Sequence, residues 1–99
     1  MIKGTTPTHT FHIPVSAEEV KKVKITYKQC GITVLTKRED ECEIVDYAVS
    51  VRLTQEDTFK FNENELVCLQ IRVITQNDEA LACEPFYRDL FGCLDTEVL

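Results

Sequence analysis

Leu66-Val67-Cys68-Leu69-Gln70-Ile71-Arg72-Val73-Ile74-Thr75 is the stretch on which the fold turns. Val67, Leu69, Ile71 and Val73 alternate with Cys68, Gln70 and Arg72, and a period of two sends successive side chains to opposite faces of an extended chain. One row is wholly apolar and the other mixed, so the segment predicts a central strand with one face on a core.

The same alternation recurs on both sides of it. Upstream, Val23, Ile25 and Tyr27 form an inward row with Lys24 and Lys28 facing out, and Gly31 permits the tight turn that makes Ile32 to Lys37 a hairpin partner. Earlier still, His9, Phe11 and Ile13 share one face of a first strand that Pro14 ends. Tyr47, Val49, Val51 and Leu53 form another inward row, in a strand expected to begin near Asp46. Ser16-Ala17-Glu18-Glu19 and Thr54-Gln55-Glu56-Asp57 each place an acid three residues after a hydroxyl, the pattern of a capped helical corner. Downstream, Gln76 to Glu79 reads as a turn and Ala80 to Cys83 as a returning strand. In residues 84–94, Phe86, Leu90 and Leu94 recur at helical spacing after Pro85, but a closing strand completes the sheet and is preferred.

About seven short strands with one or two short helical corners predict an all-β fold, an immunoglobulin-like antiparallel β-sandwich, with a barrel as the runner-up. A chain of 99 residues makes this a single domain, residues 1–99. An antibody-type domain packs a Trp on an inter-sheet disulfide; this chain has no Trp, and the register turns Cys30 and Cys68 outward, which disfavours a bridge between them.

Composition narrows the function classes. The net charge of −6 lies wholly in residues 51–99, which hold ten acidic and four basic groups against seven of each in residues 1–50. With only Lys21, Lys22, Lys24 and Lys28 clustered, nucleic-acid binding is not expected. Five cysteines, an odd number without a CxxC spacing, predict neither a disulfide framework nor a closed zinc site. Neither a signal peptide nor a membrane span is expected, so the chain reads as made in a reducing cytoplasm, with its thiols acting as small hydrophobes.

Chemistry is harder to find. His9 and His12, three apart in a strand, point to opposite faces and cannot share a metal; His9 reads as a satisfied, partly buried histidine. The charged run Arg38 to Glu43 reads as a solvated loop or edge rather than a metal site. No phosphate-cradling, nucleophile-elbow or zinc-protease motif occurs. The expectation is a non-enzymatic protein without cofactor.

Contact surfaces are easier to name. Lys22, Lys24 and Lys28 form a lysine row that either is a plain solvated face or meets the acidic second half of another copy. The tail Asp95-Thr96-Glu97-Val98-Leu99 ends in Val98 and Leu99, which either fray or dock on a neighbouring copy.

Met1 to Phe11, Ile25-Thr26-Tyr27-Lys28-Gln29, Leu53-Thr54-Gln55-Glu56, Gln70-Ile71-Arg72-Val73, Ala80-Leu81-Ala82 and Glu97-Val98-Leu99 together resemble small phage and prophage proteins of Firmicutes such as clostridia. The resemblance runs through nearly the whole chain, departing from the pattern at Phe86-Tyr87-Arg88 and in the cysteine count. It implies an immunoglobulin-like sandwich similar in kind to the N-terminal domain of phage baseplate upper proteins. It also implies a virion structural module of the tail, baseplate or head–tail region, or a capsid decoration. Such a module is assembled in the bacterial host cytoplasm, contacts other virion proteins or copies of itself, and brings no catalytic residues. The alternative is a soluble intracellular effector or inhibitor that binds a host protein through an acidic surface.

Overall fold

In a computed structural model describing residues 1–83, 85–92 and 97–99, the central run becomes β6, Val67–Thr75. It pairs antiparallel with β2, Val20–Gln29, placing Val73 opposite Val23, Ile71 opposite Ile25 and Leu69 opposite Tyr27. All six of these side chains are buried, so two apolar rows join into one surface. Fully burying such a side chain contributes roughly 1.5–3 kcal/mol, which is why the alternation dictates which face turns inward.

β3, Ile32–Arg38, is joined to β2 by a two-residue turn in which Cys30 (φ 49°) and Gly31 (φ 76°) are both left-handed. That pairing of positive angles matches the right-handed twist of the flanking strands, and the glycine supplies one of them without a Cβ penalty. β7, Ala80–Ala82, and β8, Phe86–Arg88, both pair with β6 and complete a five-stranded sheet. The second sheet runs β1, Thr8–His12; β5, Ala48–Arg52; β4, Glu43–Val45. Its Phe11, Val49 and Val51 pack with Val23, Ile25, Tyr27, Leu69 and Ile71 in a single core.

The all-β sandwich is therefore observed, with eight strands among the described residues. The strand order agrees with the immunoglobulin-like expectation: β1-β5-β4 follows the B-E-D order of one immunoglobulin sheet and β3-β2-β6-β7 the C′-C-F-G order of the other, with no counterpart of strand A among the named strands. Both expected corners form, as a 3₁₀ turn at Ala17–Glu19 and as α1, Gln55–Phe59. Thr54 caps α1: its hydroxyl accepts from Asp57 N at 3.1 Å while the Asp57 carboxylate accepts from Thr54 N at 3.0 Å. Residues 86–88 take the strand alternative, and the expectations for Glu84, Cys93, Leu94, Asp95 and Thr96 fall outside the described residues.

One position corrects the sequence reading. Tyr47, expected inward, is 59% exposed, because Asp46 (φ 51°) and Tyr47 form the turn between β4 and β5 and the strand starts only at Ala48. Arg38 to Glu43 matches the expected solvated loop or edge: a 3₁₀ turn at Glu39–Glu41 leads into β4, the edge strand of its sheet.

Polar groups inside the core are all matched, and among the described residues no buried side-chain N or O lacks a hydrogen bond. Gln29 donates to Asn62 O at 2.8 Å and accepts from Asn62 N at 2.7 Å, tying the end of β2 to the segment before β6. Thr58 accepts from Gly4 N at 2.8 Å and donates to Thr5 O at 3.0 Å, tying the N-terminal segment to α1. Gly4 (φ 78°) is needed there, since a Cβ would sit 2.7 Å from Phe59 Cζ. No helix among the described residues is long and apolar enough to cross a membrane.

Candidate functional site: a cationic trough on the five-stranded sheet

The inner rows of β2 and β6 are committed to the core, so their alternate residues form the outer face. Register decides which of these meet. Lys24 lies opposite Arg38 of β3 on one side and Arg72 of β6 on the other, giving three cations in line across adjacent strands. Strand spacing puts their Cα atoms about 5 Å apart, and like charges directly opposite are destabilising. Lys28 lies opposite Cys68, and Lys22 opposite Ile74. Thus Lys22, Lys24 and Lys28 do share one face, and the structure adds Arg38 and Arg72, which the sequence reading left out of the row.

Between these side chains runs an open trough of about 420 Å³, bordered by Lys24, Lys28 and Arg72 and floored by Thr26, Cys68 and Gln70. Gln70 is held by donating to Cys83 O at 3.0 Å. Glu39 lies near Lys22 and Arg38, and its carboxyl is held below the usual range chiefly by backbone N–H donors, Val23 N among them, and then by these two cations. Among the described residues, Lys24, Lys28 and Arg72 have no carboxylate within ion-pair distance. Among the described residues the trough therefore offers three positive charges without an ion pair, flanked by hydroxyl and amide groups. At the Lys28–Cys68 end it continues into a largely apolar shelf of about 400 Å³ lined by Leu66, Tyr87, Cys30 and Gly31, with the Glu65 carboxylate at its edge beside Cys30. Leu66 is 54% and Tyr87 60% exposed. Such a surface fits an anionic partner that also carries apolar side chains.

Val98 and Leu99 are placed elsewhere. They line a recess of about 390 Å³ with Arg52, Thr54 and Gln55, and share no lining residue with the trough. Leu99 N donates to Gln55 Oε1 at 2.7 Å and Leu99 O accepts from Gln55 Nε2 at 3.2 Å, so the tail backbone rests on its own α1 while the Leu99 side chain stays in solvent.

The titratable groups inside the sandwich bond to one another. His9 Nδ1 is 2.7 Å from the Tyr27 hydroxyl; burial, then the N-terminal ammonium and Arg88, lowers the imidazole below its ordinary value. Burial, reinforced by Cys42 and Asp57, pushes the Tyr27 phenol far up. His12 is exposed on the opposite face, as its spacing from His9 predicts. Lys37, on the inner side of β3, pairs with Asp57 at 2.9 Å, with side-chain exposures of only 12% and 10%. Cys30, Cys42, Cys68 and Cys83 are free thiols, and burial with the Glu41 and Glu39 charges pushes Cys42 up to about 11. Among the described residues no three metal-ligating side chains converge.

Comparison of the chain with protein-family models, curated proteins and solved structures finds no match, so the surface itself carries the functional argument.

Proposed function

We propose that this protein is a non-enzymatic structural component of a phage or prophage particle, working through protein–protein contact in the tail, baseplate or head–tail region. The observation that carries the contact reading is the row of Lys24, Lys28 and Arg72, without an ion pair among the described residues of a chain of net charge −6. A protein that only needed solubility gains nothing from aligning like charges across neighbouring strands, whereas an acidic partner turns that self-repulsion into attraction. The particle setting rests on the resemblance of the sequence to small phage and prophage proteins.

Mass spectrometry of particles purified from a host carrying the gene tests this directly. The chain should be recovered in fixed ratio to the major structural proteins, and its consistent absence from intact particles would overturn the assignment. Tagged protein incubated with lysate of uninfected host should retain no stoichiometric host partner; a specific host protein held through the acidic surface would favour an effector instead.

A further inference from the structure

We propose that the cationic trough receives the β4–β5 hairpin tip of a second copy, so that copies join head to tail. The inference rests on the contact reading above and names the partner. Whatever fills the trough must carry carboxylates for Lys24, Lys28 and Arg72 and apolar groups for the shelf at Leu66 and Tyr87. The hairpin tip has both. Glu43 and Asp46 are exposed carboxylates without an ion pair among the described residues, and beside them Val45 is 52% and Tyr47 59% exposed. Several other acidic side chains are already engaged within the chain: Asp57 and Glu41 with Lys37, Asp78 with Lys21, and Glu39 with Val23 N.

The tip is also pre-set for docking. Ile13 N donates to Tyr47 O at 2.9 Å and Ala17 N donates to Asp46 O at 2.6 Å, which fixes the turn and reduces the ordering cost on binding. β4 is the last strand of its sheet, so its outer N–H and C=O groups are open to a partner. Lys24 and Lys28 are about 13 Å apart along β2 at the usual strand rise, and the tip offers Glu43 on β4 and Asp46 on the turn that follows it. Trough and tip belong to opposite sheets of one rigid sandwich, so a chain cannot satisfy itself. The contact is heterologous, and repetition of it gives a ring or a filament.

Sedimentation velocity of the intact chain at about 50 mM and about 500 mM NaCl reads this out, because opposed surface charges are screened over that range. The wild type should self-associate at low salt, with affinity falling about tenfold or more at high salt. Lys24→Glu and Glu43→Lys should each be monomeric alone, and an equimolar mixture of the two should associate again through the intact trough of one and the intact tip of the other. Circular dichroism and melting temperature confirm that each variant is folded, and Arg72→Glu serves as the trough reversal if Lys24→Glu melts early. A wild type that stays monomeric at low salt, association indifferent to Lys24→Glu, or a mixture that remains monomeric would each overturn the proposal. The outcomes separate the two readings: recovery from particles without this self-association sinks only the head-to-tail contact, and salt-sensitive association without incorporation sinks only the particle assignment.

Discussion

Replacing Asp57 by alanine perturbs the structure at a point where three bonds meet. The carboxylate pairs with Lys37 at 2.9 Å and accepts from Thr54 N at 3.0 Å, and the residue closes the cap of α1. Breaking a well-buried ion pair costs about 3–5 kcal/mol, mainly because the remaining charge is stranded. Lys37 keeps Glu41 at 3.3 Å, so the lower end, about 3 kcal/mol, applies. The Thr54 hydroxyl keeps its bond from the backbone N of residue 57, but Thr54 N loses its acceptor, which costs about 1 kcal/mol more. The expected destabilisation is about 4 kcal/mol, or a melting temperature lower by about 15–30 °C for a domain of this size. Urea titration and thermal melts monitored by far-ultraviolet circular dichroism measure it. Asp57→Asn, which retains an acceptor for Thr54 N, should cost about 3 kcal/mol. Combining Asp57→Ala with Lys37→Met should cost clearly less than the sum of the single changes, since no charge is then left behind. A loss below about 1 kcal/mol for Asp57→Ala, or a double variant additive within about 0.5 kcal/mol, would refute the reasoning. The acid limb follows from the same pair. The hydrogen bond from Thr54 and the Lys37 charge hold the Asp57 carboxyl below its ordinary 3.8, so its contribution is present above that value and is lost as pH falls through the lowered one.

Three further outcomes are expected. Because burial lowers His9 below 6.5, the unfolded chain takes up the proton first, so stability should fall as pH drops from about 6.5; urea midpoints of His9→Gln should show a shallower dependence over that interval than the wild type. Gln29→Leu removes both partners of the Asn62 backbone from a buried site, and should lower stability by about 2 kcal/mol in urea titration, while the exposed change Thr33→Ser should be neutral. The Glu65 charge and hydrogen bond raise the Cys30 thiol, so Glu65→Gln should speed alkylation of Cys30 at pH 7.5 several-fold, read by mass spectrometry of the modified peptide.

The inner rows of β2 and β6, the hairpin at Gly31 and both helical corners were legible because each depends on residues within a few positions of one another, although only Thr54, and not Ser16, makes the side-chain cap. Which strands lie side by side was not. Lys24, Arg38 and Arg72 are scattered in sequence, and only the placement of β2 between β3 and β6 lines them up. Lys37 escaped notice for a related reason: a lysine on a predicted hairpin reads as solvent-facing, and its acidic partner on α1 is twenty residues away. The pairing of β2 with β3 also shifts between Tyr27 and Lys28, an irregularity no alternation pattern announces. At Tyr47 period-two reading overran a turn, since an aromatic residue continues the apolar row in sequence even where the backbone has already reversed.

The pairing of β2 with β6 bears on how the chain reaches its fold. The β2–β3 hairpin closes over a two-residue turn and forms on the microsecond scale, but β6 begins nearly forty residues after Gln29, and joining the two must first close a loop of that length. Until Val67–Thr75 has been synthesised, Val23, Ile25 and Tyr27 have no neighbour on that side. The early hairpin therefore presents a sticky, half-covered edge, and the interval before β6 arrives is when the nascent chain is most open to mispairing with another copy.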